Sequence, residues 1–190
     1  MKQWILKRVT GASTISFLVL SNTVFAIMLL VTIPQLEAFS NGLKIFDVMP
    51  SGYSTEYAFE LLNKLGIEGR EYYRSFQLPL DLLYPLFYAI ANSFLFVYLL
   101  KKMKLTSKWS LNVILLPVLA AFFDYIENGC ILFMLLNVED LESWHVTISS
   151  VFTVLKSICT TLYFTLLIAF FVAHIIRKKH KAHSSNSTYQ

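Results

Sequence analysis

The chain has 190 residues, of which 56% are hydrophobic, with a mean hydropathy of +0.58 and a formal net charge of +4. An apolar share of that size lies above soluble composition and excludes an ordinary water-soluble domain. The basic residues cluster in short segments between apolar runs, so the positive charge is a topology signal and no nucleic-acid partner is needed to explain it.

Taken in chain order, four stretches reach the roughly 20 residues that a helix needs to cross about 30 Å of hydrocarbon. They lie near 12–33, 78–100, 110–136 and 146–176. The first follows Lys2, Lys7 and Arg8. "VFA" at 24–26 has the small-residue spacing of a signal-peptidase site, but the apolar run continues through "IMLLVTI" to Pro34, which predicts an uncleaved anchor. An outer loop over 34–77 comes next, and a connection of that length carries structure of its own. Within it Pro50, Ser51 and Gly52 form a turn, Ser54 caps a helix with Glu56 in its first turn, and Gly66 ends that helix. Tyr57, Leu61 and Leu65 recur on one face, which predicts an amphipathic segment lying over the mouth of the bundle. "REYYRSF" at 70–76 places aromatic residues and arginines at the water–lipid boundary.

Charge placement sets the expected orientation. The segment before helix one, the 101–108 connection (Lys101, Lys102, Lys104, Lys108) and the tail 177–190 (Arg177, Lys178, Lys179, Lys181) hold 11 of the 16 basic residues and no acid. The other two connections hold four basic and nine acidic residues, Glu139, Asp140 and Glu142 among them. By the positive-inside rule both termini face the cytoplasm. Cysteines introduced at Ser51 and Ser185 are therefore expected to label from opposite sides of the membrane, and equal labelling by an impermeant reagent would refute the arrangement.

Polar residues inside the apolar runs carry the functional signal. In "FFDYIENGC", 122–130, Asp124, Glu127 and Asn128 fall within about 100° of helical arc, together with Pro117, Ala120 and Ala121. Helix two repeats the habit with Asp81, Tyr84, Pro85, Tyr88 and Asn92, and helix four with Ser149, Thr153, Lys156, Thr160 and Tyr163. Helix one, with scattered Ser, Thr and Asn22, faces mostly lipid. An ionisable side chain in lipid costs about 2.5–3.5 kcal/mol, so the three stripes are expected to face one another. At about 1.5 Å per residue, Glu127, Lys156 and Asp124 lie roughly 14–18 Å below the outer boundary and Asp81 only about 5 Å below it. Lys156 is the one cation at the level of the acids, and the excess of carboxylates points to a proton carrier or to a site awaiting a cation. The competing reading is that the stripes only tie helices together.

Other motifs are weaker. His145 beside Trp144 reads as an interfacial residue, and "HKAH" at 180–183 as part of a solvated basic tail attracted to anionic lipid heads. The segment "HSSNSTYQ" at the end reads as unstructured. Cys130 and Cys159 differ too much in depth for a disulfide. "HKAH" resembles a metal pair only weakly, there is no G-x-S-x-G, H-E-x-x-H or phosphate loop, and no cofactor is expected.

Four helices, cytoplasmic termini, a long first outer loop, a basic tail and buried acids form a layout similar to that of the sigma-2 receptor and emopamil-binding proteins, the EXPERA group. The resemblance implies acidic residues in a lipid-accessible pocket that binds sterols or cationic amphiphiles, and in some members isomerisation of a sterol double bond. Lys156 departs from that layout, and the resemblance assigns no residues here.

The sequence thus predicts an all-α, integral membrane four-helix bundle with a partly helical outer loop, in one four-pass domain. The candidate site comprises Asp81, Tyr84, Tyr88, Asn92, Asp124, Glu127, Asn128, Lys156 and Thr160, between helices two, three and four. Its expected ligand is small and amphiphilic or lipid-like. The alternatives are a small proton-coupled transporter and an assembly protein without a ligand. Membrane lipids are expected partners, a homo-oligomer is compatible with the pattern, and plasma membrane and endoplasmic reticulum are not distinguished.

Overall fold

The computed structural model describes the backbone of residues 8–105 and 108–186 and the side chains of 8–105 and 110–176. The described residues form four long helices and no strand. Helix α1 spans Gly11–Phe39, α2 Thr55–Met103, α3 Leu115–Leu136 and α4 Ser143–Asn186, with a short helical segment, Lys108–Asn112, leading into α3. All four are long and apolar enough to cross a membrane. The side chains of the "HKAH" segment lie outside the described residues, whereas the backbone remains helical to Asn186 instead of ending near 176.

α1 begins with reciprocal capping: Thr10 Oγ1 accepts from the Ser13 N–H at 3.1 Å, and Ser13 Oγ accepts from the Thr10 N–H at 3.0 Å. α1 packs on α2, α2 on α3 and α3 on α4, with no comparable packing between α1 and α4. The bundle is therefore an arc with a lateral gap. Its outward faces carry exposed apolar side chains such as Ile15, Leu30, Leu83, Phe122 and Ile168, as expected where the neighbour is lipid. α1 turns Thr14, Ser21, Val24, Met28 and Thr32 inward and leaves most of its remaining surface outside.

At the end opposite the basic segments, hereafter the loop end, the structure corrects the expected boundaries. The irregular chain is confined to 40–54, because α1 runs past Pro34 and α2 starts well before residue 78. Proline lacks the amide hydrogen of an ordinary helix and crowds the preceding turn, which is why it reads as a helix end. Here each proline follows a widened π-helical turn, Met28–Thr32 before Pro34 and Tyr73–Gln77 before Pro79. Such turns re-aim side chains and recur at functional sites. The two pack against each other, with Thr32 Oγ1 donating to Gln77 Oε1.

Ser54 caps α2 by accepting from the Tyr57 N–H at 3.2 Å, as its sequence predicts. Gly66, at φ 62°, bends the chain but does not end the helix, which resumes at once. Ala58, Leu61, Leu62 and Leu65 are buried against the outer part of α1 and the 40–54 loop. The segment is thereby pinned, and limited proteolysis from the loop end is expected to spare Lys64. Rapid cleavage there in the native protein would show a flexible tether instead.

The loop itself dips into the bundle. Ile45 and Phe46 are fully buried, and the Phe46 ring packs on Tyr53 and Tyr73 with centroids 4.6 and 6.4 Å away. Gly52, at φ 80°, comes so close to α4 that a Cβ would lie 2.5 Å from Ser150 Oγ. This approach lets the Tyr53 N–H donate to Ser150 Oγ at 2.9 Å and Tyr53 Oη to Ser149 at 2.7 Å. Burial pushes the Tyr53 phenol above its ordinary pKa, so it remains a neutral donor.

Candidate functional site

The three polar stripes face inward. Asp81, Tyr88, Asn92, Asp124, Glu127, Asn128, Ser149, Thr153 and Tyr163 are all buried. Asp81 is 3% exposed, so the expectation that it touches water near the mouth is corrected: the early start of α2 and the loop above it place it inside.

Lys156 sits between two acids of α3. Its Nζ lies 3.0 Å from Asp124 Oδ1 and 2.5 Å from Glu127 Oε2, the second contact being an ion pair without hydrogen-bond alignment. Thr153 Oγ1 donates to the other Glu127 oxygen at 2.6 Å. Glu127 is completely buried, and this donor and the ammonium are what compensate its removal from water.

A second cluster lies toward the loop end. Gln77, positioned by its π-helical turn and held by Thr32, donates Nε2–H to Asp81 Oδ2 at 2.8 Å. Asn128 Nδ2 donates to the Asp81 carbonyl at 2.9 Å. From the loop, Asp47 reaches the same cavity as Asp81, and its Oδ2 accepts from Tyr73 Oη. Asp47 was not among the residues expected from sequence. An acid in a loop normally reads as solvated, and the available signal was the adjoining Ile45–Phe46 pair, two large apolar residues where a water-facing loop needs none.

Of these groups, Asp47, Asp81, Asp124 and Lys156 line a half-open cavity of about 270 Å³. Asp47 and Asp81 lie at one end, Tyr84, Asp124 and Lys156 along its length, and Tyr88 and Thr160 farther in. Two turns of α2 separate Asp81 from Tyr88, about 10 Å of rise. α1 supplies Phe25, Met28 and Ile33, so the cavity involves all four helices and the loop, not only helices two, three and four. Asn92, Glu127 and Asn128 do not line it. Asn92 donates to the Tyr88 carbonyl at 3.0 Å, and its own carbonyl accepts from Tyr163 Oη at 2.7 Å. Phe25, stacked on Tyr84, together with Ser157 and Thr161 flanks the gap between α1 and α4. Access is therefore sideways as well as beneath the loop.

His145 has a local role: it stacks on Trp144 and Phe133 and accepts the Glu142 N–H at Nδ1 at 3.2 Å. Among the described residues no cluster of His, Cys, Asp or Glu has metal-site geometry, and both cysteines are free.

Comparison with protein families, curated proteins and solved structures finds no match to this chain. The functional reading therefore rests on the residues of the cavity.

Proposed function

We propose that this multi-pass membrane protein binds a small amphiphilic or lipid-like ligand in the cavity, with both termini on the cytoplasmic side. The polar head lies among Asp47, Asp81, Asp124 and Lys156, and the apolar portion leaves between α1 and α4. The observation that carries this reading is the coincidence of buried charged groups with a lateral opening. Polar residues that serve only to join helices would be sealed by packing on both sides, whereas Tyr84, Tyr88 and Lys156 all border empty space.

Native mass spectrometry of the protein taken directly from membranes tests the reading. The wild type is expected to retain a discrete added mass of lipid size. Ala120→Trp, which fills the cavity wall at a residue 2% exposed, is expected to lose it while remaining folded. Equal retention by both would mean that the bound mass sits elsewhere, and absence from both would leave the helix-joining role as the better account.

A further inference from the structure

We infer that Tyr125 and Asn128 of α3 are positioning residues of the cavity: they hold two backbone carbonyls of α2 beside Pro85 and so set how its cavity-lining side chains stand to one another. This inference rests on the reading of the cavity as a ligand site and concerns how that site is kept in shape.

Pro85 is buried inside α2, with Asp81 and Tyr84 before it and Tyr88 after it, and all three of these line the cavity. A proline has no amide hydrogen to give the carbonyl four residues earlier, and its ring crowds that carbonyl, which bends a helix. Here the carbonyl is that of Asp81. Asn128 Nδ2 donates to it at 2.9 Å, in place of the missing amide. The next carbonyl, Leu82, accepts a second donor from α3, Tyr125 Oη, also at 2.9 Å. In hydrocarbon an unpaired carbonyl cannot turn to water, so the proline makes α2 depend on α3.

Beyond the proline the anchor changes. The Asn92 carbonyl accepts from Tyr163 Oη of α4 at 2.7 Å. The loop-end half of α2 is thus tied to α3 and the other half to α4, with Pro85 between the two ties. The Tyr84 and Tyr88 rings, with centroids 5.8 Å apart, straddle that point. Their spacing therefore depends on where α3 and α4 hold the backbone, and not on helical geometry alone. Asn128 does not line the cavity, and its Oδ1 is buried without a hydrogen-bond partner among the described residues. A leucine would fill the same space without stranding that oxygen, so what the amide contributes is its bond to Asp81.

The test is a mutant cycle on the full chain. Pro85→Ala restores an amide hydrogen for the Asp81 carbonyl, and Asn128→Leu removes the side-chain donor. Asn128→Leu is expected to lower the unfolding temperature in detergent by several degrees in the wild type and far less beside Pro85→Ala. In bilayers, a small diazirine hydrocarbon with adducts mapped by mass spectrometry reads the cavity itself. The ratio of Tyr84 to Tyr88 adducts is expected to shift in Asn128→Leu and in Pro85→Ala, with no further shift in the double variant. Ile131→Ala, a buried truncation in the apolar core of α3, should lower stability without changing the ratio. Should Asn128→Leu not fold, Tyr125→Phe carries the same cycle, since it removes only a hydroxyl and a straight helix pairs the Leu82 carbonyl with the Leu86 amide.

An equal cost of the α3 substitution in both backgrounds would overturn the inference. So would a coupled cost with an unchanged adduct ratio, because the bonds would then join helices without shaping the site. Either result leaves the cavity reading intact. Absence of adducts from both tyrosines in the wild type would sink the cavity reading and this inference with it.

Discussion

Lys156→Met is expected to destabilise the protein by about 3–5 kcal/mol at neutral pH, the usual result of removing one member of a buried ion pair. The ammonium lies within 3.0 Å of Asp124 and 2.5 Å of Glu127, and the latter is completely buried. Without Lys156 both acids lose their cation and must either stay charged in a dry site or take up protons. The triple variant Lys156→Met, Glu127→Gln, Asp124→Asn removes the charges together and should recover much of the loss, because Thr153 can donate to an amide oxygen as it does to the carboxylate. Thermal unfolding in detergent, arranged as a mutant cycle, separates coupling from independent effects. Losses that simply add would contradict the pairing. Full recovery would also show that the ion triad is not required for folding, in keeping with the modest net worth of buried ion pairs.

The second large effect is expected from Phe46→Ala. A fully buried aromatic ring replaced by a methyl group typically costs about 3–5 kcal/mol, part of it from the void left behind. Phe46 is fully buried against Tyr53 and Tyr73, and the adjoining Asp47 depends on that anchorage to reach the cavity. Loss of the ring should lower the unfolding temperature and open the 40–54 segment to proteases. Ile15→Ala is the control: Ile15 is 63% exposed on the outward face of α1, and its truncation leaves no void. Equal stability of the two variants would show that the loop is held by something other than this ring.

The helical stripes were legible in the sequence because two simple rules act together. A 100° step per residue gathers Asp124, Glu127 and Asn128 on one face, and the cost of charge in lipid forces that face inward. The pairing of Lys156 with α3 followed from the inward-facing stripes together with depth, since α3 ends and α4 begins at the same boundary.

The loop end was harder to read for identifiable reasons. Pro34 and Pro79 signal helix boundaries, yet widened turns absorb both of them, and that accommodation depends on Thr32 and Gln77 meeting across two helices. A contact between residues 45 positions apart leaves no local periodicity to detect. Asp47 has the same difficulty: its partner Tyr73 lies 26 residues away, and a loop acid has no helical face to betray its place in the cavity.

The account's central claim is that a polar cavity opens to lipid between α1 and α4. Photolabelling with a small diazirine hydrocarbon dissolved in the bilayer, with adducts mapped by mass spectrometry, tests it most directly. Adducts are predicted on cavity residues Tyr84 and Tyr88 as well as on outward-facing Leu30 and Ile168, and the Tyr88 adduct should disappear in Ala120→Trp. Labels confined to Leu30, Ile168 and their outward-facing neighbours would contradict the account, because the reagent would then have found no way in.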